Sequence, residues 1–345
     1  MKLKPSTLRQ VLWPSTLLFA LIFSITTAAH FPHMEGGRAS LLSEIWPQKE
    51  PVPEINLLMT GDIMLDRYIA TLRGRAIADT DPANDLFPFT FMPKIIDAVE
   101  TQLATSQLDL VLGNLEGPIT DSNYVNDGTA MIFNFKPSVV EQLKNAGFTT
   151  FTLANNHTLD MGKDGPQKTH EYLAAGGLDS FGHPDTLNGD FSFLSYELNG
   201  IKLGFLGLND AVIKLDIPAA VRKIQEVDTQ VDVLIVAIHW GFEYEATARE
   251  SVVNKAHQFV DAGADFIWGH HPHVVQNSEL YKDKHIYYSL GNFVFDQYWS
   301  TETQKGLVLG LKILKNEEGG FTLTPVEVPV DLVKQGEPTP ASQPQ

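Results

Sequence analysis

The stretch "VDVLIVAIHWGFE", residues 231 to 243, joins a run of apolar residues to a histidine and a glutamate. The run is continuously apolar instead of alternating, which is typical of a strand covered on both faces. Strands of this kind occur in α/β proteins, where ligands bind at the carboxyl ends of the strands. This stretch therefore predicts an α/β fold in which His239 and Glu243 lie at the ligand-binding edge of a sheet.

Further strand-like runs and helical patterns extend this interpretation along the chain. The other continuous apolar runs are "INLLMT" (55–60), "LDLVLG" (108–113), "TTFTLA" (149–154) and "ADFIWG" (264–269). Helical patterns begin near Pro93 and Pro137, and a third occupies residues 252–260 and ends at Gly263. Asn199-Gly200 and Gly319-Gly320 are typical of hairpin turns. We therefore expect two mixed β-sheets stacked face to face, with helices outside them.

Polar side chains follow strand after strand in this pattern. They are Asp62, Asn114, Glu116, Asn155, Asn156, His157, His239, Glu243, the group His270 to His273, and Asn292. Taken alone, Asp62 is as readily explained as a helix cap, and Asn114 as a turn residue. The polar side chains follow the five apolar runs and a sixth run, "HIYYSLG" (285–291). Because the carboxyl ends of neighbouring strands meet at one edge, polar residues after six strands predict one shared cleft.

The stretch "WGHHPHVVQ", residues 268–276, contains three of these histidines. In an extended chain residues two apart point to the same side, so His271 and His273 are expected to face one ion while His270 turns away. The chain has no cysteine, so a metal here must be held by nitrogen and oxygen. Imidazole together with carboxylate and amide oxygens suits Mn, Zn or Fe.

The ends of the chain differ in composition from its centre. Residues 1–29 have a basic start, an apolar run and small residues, which predicts a signal peptide or an uncleaved membrane anchor. We interpret 30–53 as a linker, 54–332 as one domain and 333–345 as a disordered tail. The sequence therefore predicts an exported protein that is either anchored to the membrane or cleaved and secreted. The formal charge of −17 argues against nucleic acid as a partner.

The motifs, taken in order, resemble those of a known family. They are "GDIML", "GNLEGPIT", "ANNHTLDMG", "HWGFEY", "GADFIWGHHPHVVQ" and "YSLGNFVFDQ". The series resembles the calcineurin-like metallophosphoesterases, and more closely the CapA family of capsule and poly-γ-glutamate synthesis proteins. The resemblance implies a four-layer α/β sandwich, export with membrane association, and a part in making, moving or trimming poly-γ-glutamate or a related polymer.

The resemblance also implies roles for the polar residues. The metal ligands would be Asp62, Asn114, Asn156, His239, His271 and His273. His157 would be the general acid, with Glu116 and Asp62 also catalytic, and Glu243, Asn292, His270 and Asn155 would support the site or contact substrate.

Two positions depart from the metallophosphoesterase pattern. Met64 stands where that pattern has histidine, and Asn114 stands where it has the aspartate that bridges two metals. Without the bridging charge, two dications close together repel each other strongly, although Glu116 lies two residues on and offers a replacement. We therefore expect one divalent metal or none, and no stable two-metal centre.

Three functions fit these observations. The first is a hydrolase or transferase that acts on a phosphoester or glutamyl amide of an anionic polymer; without metal, the same groups suit proton transfer or amide chemistry. The second is a non-catalytic scaffold that works beside membrane synthase subunits. The third is a general phosphodiesterase.

Overall fold

The computed structural model describes residues 52–78, 86–126, 130–334 and 336–341. Its strands are β1 (Glu54–Ile63), β2 (Leu110–Leu115), β3 (Thr150–Thr152), β4 (Asp179–Phe181), β5 (Phe193–Leu198), β6 (Ile201–Asn209), β7 (Val233–His239), β8 (Phe266–His270), β9 (Ser278–Tyr281), β10 (Lys284–Tyr287), β11 (Asn292–Val294), β12 (Lys305–Lys315), β13 (Phe321–Lys334) and β14 (Glu337–Pro340). Its helices are α1 (Arg67–Ala78), α2 (Met92–Leu103), α3 (Val139–Asn145), α4 (Gly165–Ala175), α5 (Ile217–Asp228) and α6 (Glu250–Asp261).

The strands form two mixed sheets. The first has the order β14-β13-β12-β1-β2-β3-β4, with β11 also paired to β1, and the second has the order β5-β6-β7-β8-β10-β9. In the first sheet β1, β2, β3 and β4 are parallel neighbours, and in the second β6, β7, β8 and β10 are parallel neighbours. The carboxyl ends of the parallel strands in each sheet therefore lie along one edge.

Three apolar clusters show how the layers stack. Ile55, Leu57 and Met59 of β1 share a cluster with β6, β7 and β8, so this cluster fills the space between the sheets. Leu58 of β1 points the other way and packs with α2 and α3. The far face of the second sheet packs against α5 and α6. The order of layers is helices, sheet, sheet, helices, and the predicted four-layer α/β sandwich is confirmed.

The predicted strands and hairpins appear at their expected places. The five continuous apolar runs correspond to β1, β2, β3, β7 and β8. Asn199 and Gly200 join β5 to β6 with φ of 52° and 77°, which are the left-handed values that the predicted turn requires. The second hairpin joins β12 to β13 around Gly319.

The structure differs from the sequence-based prediction in the tail. Residues 333–345 were expected to be disordered, yet β13 continues to Lys334 and β14 pairs with it. Glu337 accepts a hydrogen bond from the Thr90 backbone at 2.8 Å, which ties β14 to the loop before α2. Proline in this segment is compatible with a strand because β14 is at the edge of the sheet.

The predicted leader at residues 1–29 and most of the predicted linker at 30–53 lie outside the described residues. Within the part of the chain that the structure describes, no helix combines the length and apolarity needed to cross a membrane.

Candidate functional site

The strand register brings the predicted polar residues together. In the first sheet Asp62 of β1 pairs with Asn114 of β2 on one side and with Asn292 of β11 on the other. In the second sheet His239 of β7 pairs with His270 of β8. Both sets lie at the carboxyl ends of their strands, so the two sheets contribute to one cluster.

Asp62 is the anchor of this cluster. It is fully buried, and its Oδ1 accepts from Asn114 Nδ2 at 2.8 Å and lies 3.1 Å from His270 Nδ1. Its Oδ2 accepts from the His271 backbone at 3.3 Å and lies 3.4 Å from His273 Nδ1. Burial alone would raise the pKa of Asp62, but the hydrogen bonds and charges of the histidines hold it well below its usual value. Asp62 is therefore an ionised group that orients four neighbours.

Asn114 links this anchor to the next strand. Its Nδ2 donates to Asp62, and its Oδ1 accepts from Asn155 Nδ2 at 3.0 Å. Asn155 in turn accepts at Oδ1 from the backbone N–H groups of His157 and Thr158. Asn114 therefore connects Asp62 to Asn155, and its predicted role as a metal ligand stays a prediction because an amide oxygen can accept a second bond.

Glu116 occupies the centre of the cluster. It is fully buried, and neither carboxylate oxygen has a hydrogen-bond partner. Its Oε1 lies 3.6 Å from His273 Nε2, 3.9 Å from His157 Nε2 and 4.0 Å from His239 Nε2. Burial raises its pKa well above the usual value, against the charge of His273, which lowers it. A buried carboxylate ringed by imidazoles at more than hydrogen-bonding distance has room for a cation.

His157 is held in place by a residue that the sequence reasoning missed. Asp160 Oδ2 lies 2.8 Å from His157 Nδ1 and accepts from the Phe133 backbone at 2.7 Å. The Phe133 ring lies 4.2 Å from the imidazole, centre to centre. This leaves His157 Nε2 on the side of Glu116. The sequence signal was a carboxylate three residues after a histidine in a strand-end loop.

The prediction that His270 turns away from the site is wrong. His270 is the last residue of β8 and lies beside Asp62, whereas His271 and His273 have φ of 99° and 57°. Alternation of side chains holds only in an extended strand, and the chain leaves the strand before His271. The turn still brings the ring centres of His271 and His273 to 6.1 Å from each other. The ring centre of His271 also lies 4.8 Å from that of His239.

The remaining predicted residues lie around this centre. Asn292 Oδ1 is 3.0 Å from His273 Nδ1, and its Nδ2 donates to Gln297 and to the Thr303 carbonyl. Glu243 is exposed, and its carboxylate lies within 4.8 Å of ligand atoms of His271 and His273. Asn156 Oδ1 is buried without a hydrogen-bond partner. Asn292 therefore orients His273, and Glu243 borders the site on its open side.

The imidazoles differ in their affinity for protons. Burial holds the pKa of His239 well below the usual value, and burial together with the charge of His273 lowers that of His271 to about 4. Burial would lower the pKa of His273 also, but the charge of Glu116 and the hydrogen bond to Asp62 raise it to about 9. At neutral pH His239 and His271 are neutral, which is the form that binds metal, whereas His273 would release a proton on binding one.

The model of the family described as "Bacterial capsule synthesis protein PGA_cap" matches residues 56–297. This chain belongs to that family. The match spans every strand end that contributes to the cluster.

Curated relatives agree with this assignment. The chain is 31% identical over 307 residues to "PGA biosynthesis protein CapA" of Bacillus subtilis, covering 82% of this chain and 76% of the relative. It is 29% identical over 311 residues to "Capsule biosynthesis protein CapA" of Bacillus anthracis, covering 84% and 70%. It is also 29% identical over 218 residues to a "Probable polyglutamine synthesis accessory protein" of Mycobacterium tuberculosis, covering 56% and 57%.

The cluster of this family member has the donor set of a metal site. Atoms of Asp62, Glu116 and His273 lie within 4.8 Å of one another, and so do those of Glu243, His271 and His273. Buried side-chain atoms without partners include both oxygens of Glu116, His239 Nε2 and His271 Nδ1. Carboxylate and imidazole together suit Mn, Zn or Fe. The residues present therefore fit one divalent cation.

Met64, the other departure from the metallophosphoesterase pattern, is a core residue. It is fully buried in the cluster between the first sheet and its helices, and its sulfur accepts from the Asp66 backbone at 3.1 Å. A thioether is a weak ligand for the hard or borderline metals that carboxylate and imidazole select. Met64 is therefore a packing residue of the core, and its sulfur is a poor ligand type for these metals.

Proposed function

We propose that this protein acts in the biosynthesis of poly-γ-glutamate or a related capsule polymer as a hydrolase or transferase. Its substrate is an anionic polymer, cut or transferred at a glutamyl amide or a phosphoester bond. The observation that carries the proposal is the buried, unpartnered carboxylate of Glu116, surrounded by the Nε2 atoms of three histidines. Family membership and the names of the relatives support the part of the proposal that concerns capsule synthesis.

Each residue of the cluster has its own role in this proposal. Asp62, Glu116, His239, His271 and His273 would hold one divalent cation, which would supply positive charge near the charge that develops on the reacting oxygen. His157, oriented by Asp160 through Nδ1, presents Nε2 to the cleft and protonates the leaving group. Asp62 stays ionised and keeps His270 and His273 in place. Asn292 fixes His273 through Nδ1, so that Nε2 of this ring faces Glu116.

The leader-like sequence at residues 1–29 supports action outside the cytoplasmic membrane. In this proposal the protein is exported, then anchored or released, and meets the polymer beside membrane synthase subunits.

The test is turnover by the purified full-length protein with Mn, Zn or Fe, on a γ-linked glutamate oligomer and on a panel of phosphodiesters. We expect cleavage or transfer of the oligomer and its loss in His157→Ala. Turnover of phosphodiesters alone would instead support the general phosphodiesterase. Absence of any metal-dependent turnover in the native protein would refute the catalytic proposal.

A non-catalytic scaffold is the second candidate, and Met64 and Asn114 favour it because both lack the ligand of the metallophosphoesterase pattern. A cell-based comparison separates the two functions. The scaffold predicts that His157→Ala leaves capsule production intact while removal of residues 1–29 abolishes it. The enzyme predicts that both changes abolish it.

A further inference from the structure

Arg67 lies at the edge of the histidine cluster. Its guanidinium carbon is 5.1 Å from the centre of the Phe133 ring and 5.7 Å from that of Phe295. These two rings contact the cluster directly, since Phe133 lies 4.2 Å from the His157 ring and Phe295 lies 4.7 Å from the His273 ring. Arg67 is therefore one aromatic ring away from two histidines of the site.

The guanidinium of Arg67 has N–H donors that lack a strong hydrogen-bond acceptor. Its side chain is 10% exposed, and Nη2 forms an ion pair with Asp296. Nη1 faces the sulfur of Met131 at 3.4 Å, which is a weak acceptor, and Nε has no hydrogen-bond partner. Asp296 is itself fixed by the Tyr68 backbone at 3.1 Å. A guanidinium that is paired with Asp296 through Nη2, and whose Nη1 meets only a thioether, is suited to receive an anionic oxygen.

Arg67 also lines a cavity of about 540 Å³, a volume that accommodates a small ligand. Among the described residues that line it, Arg67 is the only lysine or arginine, and the others include Asp296, Tyr68 and Trp299. Trp299 is 61% exposed and Tyr68 is 44% exposed, so both rings present apolar surface to a ligand.

Aromatic contacts connect this cavity to the histidines. The Trp299 ring meets the Tyr244 ring edge-on at 5.6 Å, and Tyr244 stacks at 6.2 Å from the His273 ring. A chain lying across Trp299 and Tyr244 would therefore reach His273.

We propose that this cavity binds the glutamyl residue next to the bond that reacts, with Arg67 receiving its carboxylate and Trp299 and Tyr68 packing against its methylene groups. The proposal rests on the proposed function and names the substrate group that the same site recognises. A chain of net charge −17 needs a local cation to hold a polyanion. Because Asp296 offsets part of the charge of Arg67, the site suits a singly charged carboxylate better than a doubly charged phosphate.

The experiment is calorimetric titration of the full-length protein with a short γ-linked glutamate oligomer. We expect Arg67→Gln to weaken binding at least about tenfold, the usual size of a lost charge-assisted hydrogen bond. Trp299→Ala should weaken it several-fold. Arg222→Gln, which removes the same charge from an exposed position on α5, should leave the dissociation constant within about twofold.

A double variant distinguishes the loss of a ligand contact from a folding defect. Arg67→Gln leaves Asp296 without its partner, whereas Arg67→Gln with Asp296→Asn keeps a neutral pair. Equal binding by the native protein and a folded double variant would overturn the proposal. Displacement of the oligomer by orthophosphate at equal concentration would also overturn it, because the site would then select phosphate.

Metal content, measured on the same samples, separates this subsite from the catalytic proposal. If oligomer binding depends on Arg67 but the protein has no metal and no turnover, the subsite proposal holds and the catalytic proposal is refuted. If the protein binds metal and is active, but Arg67→Gln does not change oligomer binding, the subsite proposal alone is refuted.

Discussion

Replacement of Glu116 by glutamine is the sharpest test of the metal site, because it removes one charge and keeps the shape of the side chain. The carboxylate lies 3.6 Å from His273 Nε2 and 4.0 Å from His239 Nε2, which are two of the other groups of the proposed metal site. At about 4 Å and an effective dielectric constant of about 20, one pair of unit charges is worth about 4 kcal/mol. A divalent cation carries two unit charges, so we expect Glu116→Gln to weaken metal binding by at least about a thousandfold.

The same substitution should stabilise the metal-free protein. Glu116 is buried without a hydrogen-bond partner, and burial raises its pKa well above the usual value. An acid whose pKa is raised on folding lowers the free energy of unfolding at neutral pH, since the unfolded state ionises more easily. The expected pair of results is a higher melting temperature without metal and a smaller increase on adding metal.

Asn114→Asp is the matched control, since it restores the carboxylate of the metallophosphoesterase pattern. Its new charge would lie beside Asp62 Oδ1, where Asn114 Nδ2 now donates at 2.8 Å. We expect a less stable protein and no second metal by elemental analysis. Tighter metal binding in Asn114→Asp, with native affinity in Glu116→Gln, would refute the central role of Glu116.

Three further substitutions test the surroundings of the site. Asp160→Asn should lower turnover about a hundredfold with unchanged metal content, because it removes the carboxylate that orients His157; native turnover would argue against His157 as the acid. Met64→Leu should cost less than about 1.5 kcal/mol by denaturant unfolding and retain metal, and loss of metal would make the sulfur a ligand after all. Gly61→Ala should destabilise the protein by about 3 kcal/mol, since its Cβ would lie 2.0 Å from the Gly291 carbonyl oxygen; native stability would contradict the close approach of β1 and β11.

Much of the fold was predictable from local patterns. The continuous apolar runs of β1 and β7 identify strands because burial on both faces requires apolar side chains at every position. Asn199-Gly200 identifies its hairpin because few other residue pairs adopt two successive positive φ values. The edge strand β14 was missed because its composition resembles that of a disordered tail, and only pairing with β13 makes it a strand.

The candidate site was likewise predictable from the sequence only in part. The position of Asp62 and His239 at strand ends follows from the sequence, because parallel strands end at one edge. The direction in which His270 points did not follow, since it depends on where β8 ends and the chain turns.

The sequence by itself determined which elements form and which polar side chains stand at the ends of the strands, because both depend on residues that are neighbours along the chain. Only the tertiary structure decided which of those side chains meet. Glu116 comes from the first sheet and His239 from the second, and their separation depends on how the two sheets pack. Contacts between residues far apart in the chain also leave the Glu116 carboxylate without a partner and place Arg67 one aromatic ring from two histidines. The spacing of residues along the sequence predicts neither arrangement.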